Sequence, residues 1–209
     1  MGVVRGSLNC TRFLVNGEPD EGFREAAREK VVRYSFKRLH EDSDQERAVG
    51  WVNILDEYQR GFLGDEYFKE PYIALSLRVD TRSVPARALR QYCREAEDEI
   101  KEREGLEFLS KKRREEVRDA VRARLLRRAI PRTAVYDMVW DLQRGLVLFG
   151  ATSTRLCDEF AEIFYNTFEL RLTSVYPYSL AYRLLQDKGL RADGLNDVRP
   201  FGLDRGAES

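Results

Sequence analysis

Ser110-Lys-Lys-Arg-Arg-Glu-Glu-Val-Arg-Asp-Ala-Val-Arg-Ala-Arg-Leu-Leu-Arg-Arg-Ala-Ile-Pro131 decides how this chain is put together. Ser110 suits a helix N-cap, because its hydroxyl oxygen can accept a free N–H of the first turn. Pro131 cannot continue a helix, so the residues between read as one helix ending at Ile130. Within it Val117, Val121 and Leu125 lie four apart and drift only about 40° per step, a narrow apolar stripe. Arg114, Arg118 and Arg122 form a second row about 60° away, so the basic row borders the packing face instead of opposing it. Leu126, Ala129 and Ile130 point elsewhere and indicate a second contact surface, for which Ile130 and Leu126 are the candidate dimer contacts.

Upstream, Ser83 and Pro85 open another helix by the cap and first-turn proline rule, running to Glu104 before Gly105. Two long helices therefore follow each other over 83–131. On their N-terminal side, 3–15 and 48–55 read as strands and Pro71–Val79 as a strand with alternating faces. Between the first two, Asp20 is placed to cap a helix over 21–39, and Asp56–Glu70 reads as an ordered, aromatic-rich loop. On the C-terminal side, Thr133–Asp141 and Gly145–Gly150 read as a hairpin. A helix to Phe168 capped by Thr152 or Ser153 follows, then a strand over 170–176 and a short helix from Pro177 to Leu185. The expected fold is α+β: two small, mostly antiparallel sheets, each with a packing helix, linked by a long helical hairpin. The expected division is an N-terminal subdomain 1–82, a basic hairpin 83–131, a C-terminal subdomain 132–186 and a flexible tail 187–209.

Composition narrows the chemistry. The 209 residues hold 36 Lys+Arg, 36 Asp+Glu and one histidine. No apolar run approaches the roughly 20 residues that cross a bilayer, and Met1–Cys10 lacks the apolar core of a signal peptide. Cys10, Cys93 and Cys157 stand far apart with no CxxC spacing, which points to reduced thiols in a cytoplasmic protein. His40, followed by Glu41 and Asp42, reads as a solvent-facing helix end, so histidine-based nucleophilic catalysis has one badly placed candidate. Glu99-Ile100-Lys101, the nearest match to a metal-nuclease acid–x–Lys step, falls inside a helix. No glycine-rich phosphate loop is present. The expectation is no catalytic residue, no metal site and no cofactor.

The neutral total hides segregation. From Lys111 to Arg132 ten basic residues stand against three acidic ones, a net of +7, so the rest of the chain carries −7. Arginine supplies eight of the ten, and its planar fork suits phosphate oxygens. The competing reading is structural: the preceding helix carries Glu95, Glu97, Asp98, Glu99, Glu102 and Glu104, which would neutralise part of this charge across a hairpin.

From Leu109 to Ile130 the sequence resembles the recombination-associated RdgC family, in which a lysine-rich turn leads into a helix ending in a Leu-Leu-Pro-Arg-Ala-aromatic step. The resemblance continues through Trp140-Asp141, Gly145-Leu-Val-Leu and Ala151-Thr-Ser153. Backward it takes in Pro85 and Gly50-Trp51-Val52, so it spans about 48–180. Arg127 stands where the family has proline, and Ile130 replaces the aromatic. The resemblance implies a shortened member lacking the family's C-terminal third. It further implies a bacterial, nucleoid-associated homodimer that encloses double-stranded DNA with little sequence preference and restrains the recombinase RecA by occupying the DNA. By position, the implied DNA-binding residues are Lys111, Lys112, Arg113, Arg114, Arg118, Arg122, Arg124 and Arg128. The absence of aromatics among them favours duplex over single strands.

Two other function classes compete. One is a protein-interaction module without strong DNA binding, suggested by zero net charge and the aromatics of 58–72. The other is a nuclease, suggested only by the label this family has carried.

Overall fold

The computed structural model describes residues 2–3, 9–59, 61–62 and 64–197. In chain order it contains β1 (Thr11–Asn16), α1 (Phe23–Arg33), β2 (Arg47–Asn53), β3 (Phe68–Lys69), β4 (Tyr72–Thr81), α2 (Ala86–Glu104) and α3 (Lys111–Arg128). There follow β5 (Arg132–Asp141), β6 (Leu146–Phe149), α4 (Thr154–Phe168), β7 (Arg171–Ser174), α5 (Pro177–Asp187) and a 3-10 turn at Asp193–Asp197. Residues 198–209 of the expected tail lie outside the described residues.

The α+β class holds, but the expectation of two sheets does not. One seven-stranded sheet runs β2-β4-β5-β6-β1-β7, with β3 on the start of β4 and every pairing antiparallel. The strands before and after the helices are interleaved: β4 pairs with β5 over ten residues, from Tyr72↔Asp141 to Thr81↔Arg132. Residues 82–131 are thus an excursion between two neighbouring strands, not a bridge between two sheets. Alternation of side chains identified the strands, but it carries no information on which strand pairs with which.

One face of the sheet buries the period-two apolar set: Ile73, Leu75, Leu77 and Val79 of β4, Met138 and Trp140 of β5, Val147 and Phe149 of β6, and Phe13 and Val15 of β1. Ala27 and Val31 of α1 and Leu156, Phe160, Phe164 and Phe168 of α4 close over it. The Phe149 and Phe160 rings stack at 3.9 Å with 7° between planes, and the Trp51 indole N–H donates to Thr167 at 2.8 Å.

The helix expected over 21–39 stops at Arg33. The chain then runs onto β2, with Trp51 N–H donating to Tyr34 O and Phe36 N–H to Trp51 O, both at 2.9 Å. Gly50 permits this approach, since a Cβ there would sit 2.4 Å from Phe36 Cα. Two sheet bonds outweigh continuation of the helix, and His40 therefore lies in a turn beyond it. Asp20 serves α1 through its backbone carbonyl, which accepts the Phe23 N–H, and not through its side chain. Ser110 does cap α3, accepting the Arg113 N–H at 3.2 Å.

At the end of the sheet where the excursion begins, the opposite face is polar and buried. Arg78 grips Asp80 through two hydrogen bonds, Nε to Oδ1 at 2.9 Å and Nη2 to Oδ2 at 3.0 Å, and Thr133 donates to the same carboxylate at 2.8 Å. The hydrogen bond to Asp80 holds the Arg78 guanidinium above its ordinary pKa against the opposing effect of burial. Phe36 covers Arg78, its ring centroid 4.4 Å from the guanidinium carbon. Arg82 donates to His40 O at 3.1 Å and Ser43 O at 3.0 Å. The end of β4, the start of β5 and the stretch from Phe36 to Ser43 are thereby tied together at the root of the α2–α3 excursion.

Two stability outcomes follow from this packing. Phe160→Ala removes a fully buried ring and should cost about 3–5 kcal/mol in urea unfolding. Asp80→Ala strands a buried guanidinium and should cost a similar ~3–5 kcal/mol, whereas an exposed control such as Asp42→Ala should stay within about 0.5 kcal/mol.

Candidate nucleic-acid interface

α2 and α3 form an arm joined by residues 105–110. No residue of α2 is fully buried; Leu89, Cys93, Ala96 and Ile100, spaced four, three and four apart, are its half-buried side. On α3 the expected stripe is met by Val117 and Val121, both buried, with Leu125 half-buried. Leu126, about 180° from Val117, is buried too, at 4% exposure. It lies about 40° from Arg122, whose guanidinium meets Glu46 next to β2. The first turns of α3 thus pack on one side and its last turn on another. Leu126 is enclosed by its own chain, while Ile130 stands 92% exposed where α3 hands over to β5.

All eight cations singled out from the sequence, Lys111, Lys112, Arg113, Arg114, Arg118, Arg122, Arg124 and Arg128, are solvent-exposed. Internal neutralisation is slight. Among the described residues only two of the eight form ion pairs: Arg113 with Glu104 at 3.6 Å and Glu116 at 3.2 Å, and Arg122 with Glu46. Of the six acidic residues from Glu95 to Glu104, Glu104 alone reaches α3 in such a pair. Exposed pairs of this kind are worth about 0–1 kcal/mol, so an incoming phosphate can displace the carboxylate at little cost.

Between the two helices runs a groove of about 850 Å³ lined by Ala86, Leu89, Arg90, Cys93, Arg94 and Glu97 of α2 and Lys111, Arg114, Glu115 and Arg118 of α3. Five of these ten are cationic and two acidic. Arg90 and Arg94 are not among the cations that the sequence singles out, because the acidic residues of α2 dominate its charge. Their i, i+4 spacing on one helix side was the available signal. The Cys93 thiol is pushed above its ordinary pKa, chiefly by burial and then by Glu97, with Arg118 acting in the opposite sense.

Elsewhere the other functional features are unremarkable. Glu99 and Lys101 lie in α2, where Lys101 pairs with Asp98 at 3.0 Å. No group of three or more His, Cys, Asp or Glu side chains among the described residues is placed to hold a metal ion. No described helix is long and apolar enough to cross a membrane. Of the aromatics in 58–72, Tyr67 is buried and Phe62 and Phe68 pack on the core, leaving Tyr58 and Tyr72 exposed. Burial of the Tyr67 phenol pushes its pKa up to about 12.

No curated protein matches the chain. Residues 26–181 match the model of a family described as "Putative exonuclease, RdgC". That span takes in α1 from Ala26 onward, the whole arm and all but the first strand of the sheet. With the match covering well over half of its 209 residues, the chain belongs to the RdgC family.

Proposed function

We propose that the chain binds double-stranded DNA without regard to sequence, through its phosphates, and that it modulates homologous recombination by keeping a RecA-type recombinase off the occupied DNA. The binding surface is made of the exposed cations of α3: Lys111, Lys112, Arg113, Arg114, Arg118, Arg122, Arg124 and Arg128. One observation carries this reading: six of these eight exposed cations have no ion-pair partner among the described residues. A neutral protein would not concentrate unpaired guanidinium groups on one arm for stability alone, since like charges repel. Guanidinium–phosphate pairs are charge-assisted and often bidentate, and they carry no base information.

Family membership supports the recombination context. In the proposed assembly, two copies related by a twofold axis present both arms to one duplex, and exposed Ile130 is available for contact with the partner. The protein works at the nucleoid, in the cytoplasm, and as a binder, not as an enzyme. Interaction with another protein remains the second reading. The exposed Leu180 and Leu184 of α5 favour it, and it requires that duplex DNA fail to bind even at low salt.

Engagement of about six phosphates should lower duplex affinity by roughly three decades between 50 and 200 mM salt. The double variant Lys112→Glu/Arg124→Glu, at two exposed positions, should weaken AT-rich and GC-rich duplexes alike and flatten the salt dependence by about two contacts, roughly 1.8 in the logarithmic slope. Fluorescence anisotropy reads both. Affinity independent of salt would count against the proposal.

A further inference from the structure

Resting on the proposed phosphate binding, we infer that the groove between α2 and α3 is itself a phosphodiester-backbone site, in which Arg90 and Arg94 of α2 act together with Lys111, Arg114 and Arg118 of α3. The basic helix alone would offer DNA a convex row of charges. The second helix turns that row into a channel with cations on both walls.

The five cations and two carboxylates leave the groove at +3, and none of the five cations is ion-paired among the described residues. Arg114 is further steadied by donating from Nε to Leu109 O at 3.3 Å. Arg90 and Arg94 on one wall, and Arg114 and Arg118 on the other, are each four residues apart, a rise of about 6 Å. Each wall therefore offers two cations along the direction of the groove, so a phosphodiester strand lying in it can be met at more than one phosphate. Packed helices lie only about 8–10 Å apart, so the groove admits the backbone of a single strand and not a whole duplex. That strand can be one ridge of a duplex or a free single strand. Both present the same phosphodiester chemistry, and both are tested.

Cys93 lines the groove and is partly exposed, as are Cys10 and Cys157 outside it. The chain therefore carries a reporter within the site and two internal references. The test uses the full chain, a 20-base-pair duplex, a 20-nucleotide single strand and a maleimide read by mass spectrometry. Bound DNA should slow Cys93 labelling several-fold while Cys10 and Cys157 keep their rates. Arg90→Glu/Arg94→Glu should lower affinity tenfold or more, and Arg90→Gln/Arg94→Gln should lower it less, both with unchanged thermal unfolding because the two arginines are exposed. Protection by the duplex, by the single strand or by both sustains the site and says which form occupies it. If DNA binds with the expected salt dependence while Cys93 stays as reactive as before and both arginine variants bind as wild type, the groove site is overturned and the arm-surface reading survives. If neither DNA binds at low salt, both fall.

Discussion

The ten-residue antiparallel pairing of β4 with β5 is the constraint on which the rest of the molecule depends. It sets Thr81 opposite Arg132, so the chain leaves and re-enters the sheet at one point, and everything between is obliged to form an arm. The buried Arg78–Asp80 pair, with Thr133 on the same carboxylate, sits at that point. Taking two charges out of water is costly unless their hydrogen bonds are satisfied. Here the carboxylate receives three donors from two strands, so the pair contributes most as a device that fixes where the arm begins. Arg82, reaching the backbone of His40 and Ser43, extends the same fixation to the segment ahead of β2.

Rigidity at the root matters for a surface made of long, flexible cations. Lysine and arginine side chains lose rotamer freedom when they bind, which costs free energy. A surface whose backbone is already ordered loses only that. The apolar core on the far face of the sheet, centred on Phe149, Phe160, Phe164 and Trp140, supplies stability without demanding anything of the arm. This lets α2 remain without a single fully buried residue.

Much of this was legible in the residues. Strands appeared as alternation, the α3 boundaries as Ser110 and Pro131, and the basic row as a count of charges. Pairing was not legible, because β1 meets β6 and β7 across more than a hundred residues and nothing in Phe13 or Val147 names its neighbour. The end of α1 was lost for a related reason: residues 34–36 continue an apolar helical rhythm, and only the long-range approach to Gly50 diverts them. At the candidate site, the α3 cations are visible in the sequence as a count of charges, but Arg90 and Arg94 are hidden by the acidic residues around them. Sequence composition reports the average charge of α2, whereas the groove depends on which side each charge occupies. Leu126 is the converse case, an apolar side chain whose cover the sequence leaves unassigned and which the fold buries within its own chain.

The sheet and its core form a scaffold separable from the arm they present, which removal of the arm tests. Because Thr81 already faces Arg132, a two-residue Asn-Gly turn can replace residues 82–131 and close β4 onto β5 as a hairpin. Circular dichroism should then show the strand signal kept and the helix signal reduced, and anisotropy should show duplex affinity gone at low salt. A shortened protein that still binds duplex as tightly as the full chain would place the interface on the sheet and contradict the account.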